Sequence, residues 1–348
     1  MSGRWSMGVD LGPLVKSRAP IKLEDLNRRV IAIDAYNALY QFLAVIRGDT
    51  GDPLMDRERR VTSHLSGLFY RTCNLLEKGA QPLYVFDGKP PQLKREEIMR
   101  RGEAKRKAYE LYQEAQVRGD AEAMRKYGSQ SVRLDEGMVA ESKELLKLMG
   151  LPAVQAPSEG ECEAAYLAST GVAWASVSQD YDSLLFGSPR LIRNLTVSGK
   201  RKLPGRDVYI EVNPEIVKLD DVYRELQVDR AQLVDLGILL GTDFNPDGFK
   251  GVGTATALKY IRTYGSLDRV EPLKDEISDY DYPQIRDIFL KPAVSDVSGL
   301  EWGQIELDGV KAMLCDRHDF SPDRVQAAVK RVGEASKGKS ETLERWFG

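Results

Sequence analysis

The chain has 348 residues, 42% of them hydrophobic and 30% charged, with a formal net charge of −3. That balance fits a soluble globular protein of one large domain or two, with no run of 18 apolar residues to span a membrane. Three scattered cysteines (Cys73, Cys162, Cys315) without a C-x-x-C pair argue against a disulfide framework or zinc site and suit a reducing cytoplasm; two histidines, His64 and His318, make chemistry built on several imidazoles unexpected.

The opening "MSGRWSMGVDLG" has neither a secretory h-region nor a myristoyl signal. "RRVIAIDAYNALYQFL" then begins with a strand pattern, Val30 to Ile33, that runs into Asp34. "VTSHLSGLFYRTCNLLEKG" has helical spacing, with His64 in its first turn. "QPLYVFDGKPP" repeats the first design: an apolar run, Leu83 to Phe86, then Asp87 and a turn. A third apolar run, "GVAWASV", leads to Asp180 and Asp182 after the helical "GECEAAYLASTG". Continuous apolar strands alternating with amphipathic helices predict an α/β fold with a mostly parallel twisted central sheet flanked by helices. Ligands of such sheets lie beyond the carboxyl ends of the strands, where these acids converge. A single Asp after a strand is ordinarily a turn or cap residue; three such strand ends weaken that explanation. In a strand, i and i+2 face the same side, so Asp180 and Asp182 aim together if strand geometry persists through Tyr181.

Residues 89–133 change character, with twelve Lys/Arg against seven Asp/Glu in a helical pattern of little apolar face. Lys94 and Arg101 lie two helical turns apart and share a face; a solvated helix pair laced with ion pairs is the plainer explanation. "QAPSEGECEAAY" carries Ser158 and Glu161 at capping-box spacing, which leaves Glu159 unexplained. "RLIRNLTVSGKRKLPGR" reads as strand, Gly turn, strand; Arg193, Lys200, Arg201 and Lys202 are its candidate phosphate contacts, a solvated hairpin the alternative. Asp243 follows an apolar helical run in "LGILLGTDFNPDG". "DGFKGVGTATALKYIRTYGS" lacks the G-K-[S/T] of a P-loop. Its Lys250, Gly251 and Gly253 form a Gly-rich turn before a helix, whose exposed N–H groups suit a phosphate backbone. The end, "GEASKGKSETLERWFG", reads as a flexible linker followed by the apolar triplet Leu343, Trp346 and Phe347, spaced as a docking peptide.

Asp34, Asp87, Glu159, Glu161, Asp180, Asp182 and Asp243 make seven carboxylates that would repel one another if gathered unpaired. An all-oxygen set favours Mg²⁺ or Mn²⁺, and a pair of such ions promotes in-line displacement at a phosphodiester. The basic segments would hold the polyanion, so an acidic chain with a nucleic-acid partner is consistent.

The pieces "AIDAYNALYQFL", "TSHLSGLFYRT", "VFDGKPPQLK", "APSEGECEAAY", "SQDYDSLLFG", "RNLTVSGKRKLPG", "LGILLGTDFNPDGFKGVG" and "TLERWF" together resemble the flap endonucleases of the structure-specific 5′ nuclease superfamily, archaeal branch, over nearly the whole chain. The resemblance implies a PIN-like 5′ nuclease fold that cuts at the base of 5′ flaps and has 5′–3′ exonuclease activity, in Okazaki-fragment maturation and base-excision repair. It implies that Asp34, Asp87, Glu159 and Glu161 hold one metal and that Asp180, Asp182 and Asp243 mostly serve a second. Lys94 and Arg101 match residues that neutralise the scissile phosphate, and Tyr40 an aromatic that stacks on the displaced nucleotide. Residues 92–133 match a helical arch insertion between an N-terminal region (1–105) and an internal region (120–265). The internal region holds a helix-hairpin-helix over about 230–265, where K⁺ is implied besides two Mg²⁺; residues 266–335 complete the core, and 336–348 form a flexible tail. The tail matches a peptide that docks on a PCNA-type sliding clamp, with Ser340 where a Gln is usual. Met7-Gly8 matches the family's usual start, whose glycine lies near the active site. The expected partners are branched DNA (5′ flap, nicked duplex) and the clamp, with no membrane, for a cytoplasmic, nucleoid-associated monomer. An aspartate-nucleophile phosphatase is disfavoured by Asp34-Ala35-Tyr36 in place of D-x-D; a non-catalytic DNA or clamp adaptor is disfavoured by the full set of acids.

Overall fold

The computed structural model describes the backbone of residues 8–48, 51–196, 199–202, 209–278 and 281–347, and the side chains of these residues outside 199–211 and 337–347. Its strands are β1 (Arg18–Pro20), β2 (Val30–Asp34), β3 (Gln81–Phe86), β4 (Ala153–Gln155), β5 (Ala175–Val177), β6 (Arg190–Arg193), β7 (Gly199–Lys202), β8 (Tyr209–Val212) and β9 (Glu215–Lys218). Seven form one sheet in the order β1-β9-β6-β5-β2-β3-β4. The five from β6 to β4 run parallel; β9 pairs antiparallel with β6, and β1 with β9. Central β2 is buried on both faces, as its VIA sequence requires.

Between β2 and β3 lie helices α1 (Ala35–Val45) and α2 (Ser63–Glu77). Next come α3 (Arg95–Arg118), α4 (Ala121–Gln130) and α5 (Glu136–Leu148), then α6 (Gly160–Ser169) and the short α7 (Asp182–Leu185). After β9 follow α8 (Leu219–Leu226), α9 (Arg230–Leu240), α10 (Thr254–Tyr264), α11 (Lys274–Ile277), α12 (Tyr282–Leu290), α13 (Leu307–Lys311) and α14 (Pro322–Phe347). Side-chain alternation divides the core. Ile31, Ile33, Tyr84 and Phe86 pack with Phe42, Leu65, Phe69, Leu146 and Val325 from α1, α2, α5 and α14. Ala32, Leu83 and Val85 face Ala164 and Leu167 of α6. A third cluster joins Leu191 and Val217 to α7 through α10 and α12. Among the described residues no helix is long and apolar enough to cross a membrane.

Three local expectations are corrected. The basic strand β7 pairs with β8, not with β6, because β5 and β9 already occupy both edges of β6. Strand β5 ends at Val177, and Tyr181 is helical (φ −85°, ψ −4°), so Asp180 and Asp182 do not share a strand face. Helix α6 has Glu159 as its N-cap residue, with no side-chain cap and no capping box at Ser158; Glu161 is engaged elsewhere. Helix α14 extends to Phe347, through the residues read from the sequence as a tail. Val325, Ala328 and Val332 anchor its buried face, and the Glu, Ala, Lys, Leu and Arg that follow are good helix formers.

Candidate functional site

The parallel strands deliver their acids to one edge of the sheet. Asp34 is the last residue of β2, and its carboxylate caps α1 by accepting from the Asn37 N–H at 2.9 Å. Asp87 follows β3 and accepts from the Gly160 N–H at the start of α6 at 2.7 Å. Glu161, in the first turn of α6, accepts from both the N–H and the hydroxyl of Ser183, at 3.0 and 2.7 Å. Beyond β5, the Asn37 amide donates to Asp180 at 2.8 Å. Asp182 opens α7 and accepts from the Val9 N–H at 2.7 Å. Asp243, in the turn after α9, accepts from the Gly8 N–H at 3.2 Å.

Gly8 has φ +72°, and a Cβ there would stand 2.8 Å from Asp182 Oδ1. Only glycine brings the backbone this close to that carboxylate in the left-handed region. The glycine expected beside the acids is therefore there.

Electrostatics show that the seven acids share one environment. Burial, then the charge of Asp87, pushes the Asp34 carboxyl up to about 8. Burial, then Asp34, pushes Glu161 up to about 8. Asp180 and Asp182 rise well above the carboxylate range through burial and then Glu161. Burial also raises Asp87 and Glu159. At Asp243 burial is outweighed by the Lys94 ammonium and the Arg101 guanidinium, and its carboxyl is held below the usual range.

Lys94 and Arg101, expected only to share a helix face, both reach the acids, although Lys94 is the residue before α3 rather than within it. The Lys94 ammonium pairs with Glu159 and lies 2.9 Å from Asp243 Oδ2. Arg101 pairs with Asp243 and, at 2.6 Å, with Glu97. Burial favours the neutral Lys94 amine, but Glu159 and Asp243 prevail and hold it charged. Among the described residues, no three acids, histidines or cysteines are closed to metal-ligand distances. The donors nevertheless fit a hard divalent cation: all are carboxylates, burial and then neighbouring acids raise the proton affinity of all but Asp243, and an ammonium already sits between two of them.

Tyr40, on α1, is partly buried, with the Lys105 ammonium 4.0 Å from its ring centre. Burial, then Arg101 and Arg133, pushes Lys105 down to about 8. Helices α3 and α4 rest on the segment after α1: Tyr112 donates to Asp52, and the Arg47 guanidinium donates to the Gly51 and Gly128 carbonyls.

Away from the acids, Lys250, Gly251 and Gly253 lie between α9 and α10 as expected. Gly253 is the N-cap of α10, Gly251 has φ +76°, and no atom lies within 4 Å of a Cβ built on either glycine. Gly248 turns the loop tightly, with φ +55° and the Leu240 carbonyl carbon 2.6 Å from where a Cβ would be. The Arg193 guanidinium, a candidate phosphate contact, points inward in the DNA-free protein, to Gln179, Tyr181 and Glu215. The side chains of Lys200, Arg201 and Lys202, and of Leu343, Trp346 and Phe347, lie outside the described residues. Sequence reading missed the Gly160, Ser183 and Val9 donors, as well as Asn37 and Lys105. Only Asn37, three residues after a candidate acid at N-cap spacing, carried a local signal.

Residues 7–108 match the XPG N-terminal domain, and 150–243 the XPG I-region. The flap endonuclease 1 of Thermococcus onnurineus is 50% identical over 343 residues, 98% of this chain and 99% of that one. That of Pyrococcus horikoshii is 51% identical over 342 residues, 98% of each. A solved flap endonuclease-1 from Methanococcus jannaschii superposes with a TM-score of 0.75 at 37% identity, covering 95% of this chain and 100% of that one.

Proposed function

On the premise that this chain belongs to the flap endonuclease 1 family, a family of structure-specific, metal-dependent DNA nucleases that hydrolyse phosphodiester bonds, we propose that it cuts 5′ flaps at the junction of single strand and duplex. Asp34, Asp87, Glu159, Glu161, Asp180, Asp182 and Asp243 would hold two Mg²⁺, with Mn²⁺ able to substitute. The observation that carries this reading is the gathering of seven mutually repelling carboxylates beside two arch cations. Bound cations supply Lewis-acid stabilisation of the phosphate charge that develops on displacement.

The chain's own residues do the rest. Lys94 and Arg101 place two positive charges at the acid edge, where they neutralise the scissile phosphate. Tyr40 offers a ring on which the displaced base stacks once the Lys105 ammonium moves aside. The basic helices α3 and α4 enclose the single strand. The open Gly251–Gly253 turn, with Lys250 and the N-terminus of α10, accepts the duplex backbone and K⁺. Lys200, Arg201 and Lys202 on β7 add phosphate contacts. Leu343, Trp346 and Phe347 at the end of α14 dock a PCNA-type clamp. The protein acts as a cytoplasmic, nucleoid-associated monomer in Okazaki-fragment maturation and base-excision repair.

The test is a double-flap DNA labelled at its 5′ end. In Mg²⁺ it should yield one labelled product, the flap cut at its base with a 3′-hydroxyl end, and leave a 5′-phosphate on the duplex strand. Tight flap binding without product across Mg²⁺ and Mn²⁺ titrations would identify an adaptor instead.

A further inference from the structure

Strand β5 ends at Val177, so among the described residues the turn that carries Asp180 and Asp182 has no sheet partner beyond the bond from the Ser178 N–H to the Ile192 carbonyl. Side chains hold it on both sides. On the side of α1, the Asn37 amide donates to Asp180 Oδ2 at 2.8 Å, and its carbonyl faces the Gln179 N–H at 3.4 Å. Asn37 is buried, and its own N–H donates to Asp34. On the side of β6, Arg193 Nε donates to the Gln179 carbonyl at 2.9 Å, and Nη1 to the Tyr181 hydroxyl at 2.6 Å. The guanidinium lies 4.0 Å from the centre of the buried Tyr181 ring and is anchored by Glu215, its register partner on β9, at 2.8 Å. Its Nε and Nη1 are thus committed inward, and its side chain is only 18% exposed.

We propose that Asn37 and Arg193 are positioning residues that clamp the Gln179–Asp182 turn from opposite sides and so set where its two carboxylates meet divalent cations, without contacting DNA. The inference rests on the reading of the acids as cation ligands. Asn37 suits the task because its neutral side-chain amide holds both Asp180 and the Gln179 N–H without cancelling charge that a cation needs. Arg193 suits it because a planar fork fixes direction, which a lysine cannot do.

The test uses full-length Arg193→Met and Asn37→Ala, with thermal unfolding as a fold check. Mn²⁺ binding to DNA-free protein is measured by calorimetry, flap affinity in EDTA against salt, and single-turnover cleavage against Mn²⁺. Mn²⁺ affinity should fall about 10- to 100-fold, with cleavage restored by excess Mn²⁺ and flap affinity within about twofold at an unchanged salt slope. If Arg193→Met does not fold, Tyr181→Phe removes only the hydroxyl contact and should shift Mn²⁺ affinity in the same direction by less. Unchanged Mn²⁺ binding, with flap affinity lost and the salt slope reduced by about 1, would make Arg193 a DNA contact and overturn the inference. Lowered thermal stability alone would overturn it too. If the wild-type protein binds no Mn²⁺, the reading of the acids fails with it; wild-type binding matched by both variants overturns only the clamp.

Discussion

Asp34, Asp87, Glu161, Asp180 and Asp182 lean on neutral donors of the core: N–H groups, a serine hydroxyl and an asparagine amide. Glu159 and Asp243 lean on Lys94 and Arg101 at the start of α3. In the first group no cation outweighs the burial and mutual charge that make Asp34, Glu161, Asp180 and Asp182 hold protons more tightly. In the second, Lys94 and Arg101 already hold Asp243 ionised. If α3 and α4 enclose DNA as proposed, the same two side chains face competing demands, from the acids in the free protein and from phosphate in the complex.

Replacing Lys94 tests that competition most severely. Lys94→Ala should slow single-turnover cleavage by about 100- to 1,000-fold, the scale of losing one transition-state charge partner, and change flap affinity far less. In DNA-free protein it should raise Mn²⁺ affinity, because an ammonium no longer competes for Glu159 and Asp243. Equal losses in binding and rate, or weaker Mn²⁺ binding, would remove the competition from the account.

Gly8→Ala probes the neutral-donor side. With φ +72° and a 2.8 Å approach to Asp182, it should cost about 1–3 kcal/mol of stability by thermal or denaturant unfolding and slow cleavage through Asp182. Wild-type stability would show that the Gly8 backbone is not so constrained.

Acidity gives a gentler test. Carboxyls of Asp34 and Glu161 titrate near 4 when unfolded and at about 8 when folded without cations. Between those values the folded state binds more protons than the unfolded one, so stability falls as pH rises and levels off above about 8. Mg²⁺ competes with those protons, and its thermal stabilisation should grow from pH 5.5 to 8. A Mg²⁺ effect independent of pH would separate these acids from the cation site. The smallest basal effect belongs to the tail: deleting residues 340–348 should leave basal cleavage intact and abolish stimulation by a clamp. Unchanged stimulation would place docking elsewhere.

Much of this was legible where chemistry follows backbone period. The apolar runs ending at Asp34 and Asp87 announced both the sheet and the edge on which its acids gather; the two-turn spacing of Lys94 and Arg101 put them on one face but did not say what that face meets. Legibility failed where position depends on distant chain. Asp180 and Asp182 do come together, but through a turn held by Asn37 and Arg193, 143 residues away in one case and within 14 in the other. Arg193 looked like a phosphate contact because its neighbours are basic; Glu215, which turns it inward, arrives only when β9 folds back on β6. The roles of Gly8 and Val9 depend on contacts with Asp243 and Asp182, 235 and 173 residues away.

Whether the gathered acids serve hydrolysis or only DNA binding turns on Asp182→Ala. Flap affinity and single-turnover cleavage in Mg²⁺ are measured on the same preparation. Affinity should be retained and cleavage should fall to background; cleavage at the wild-type rate would mean that Asp182 has no part in hydrolysis.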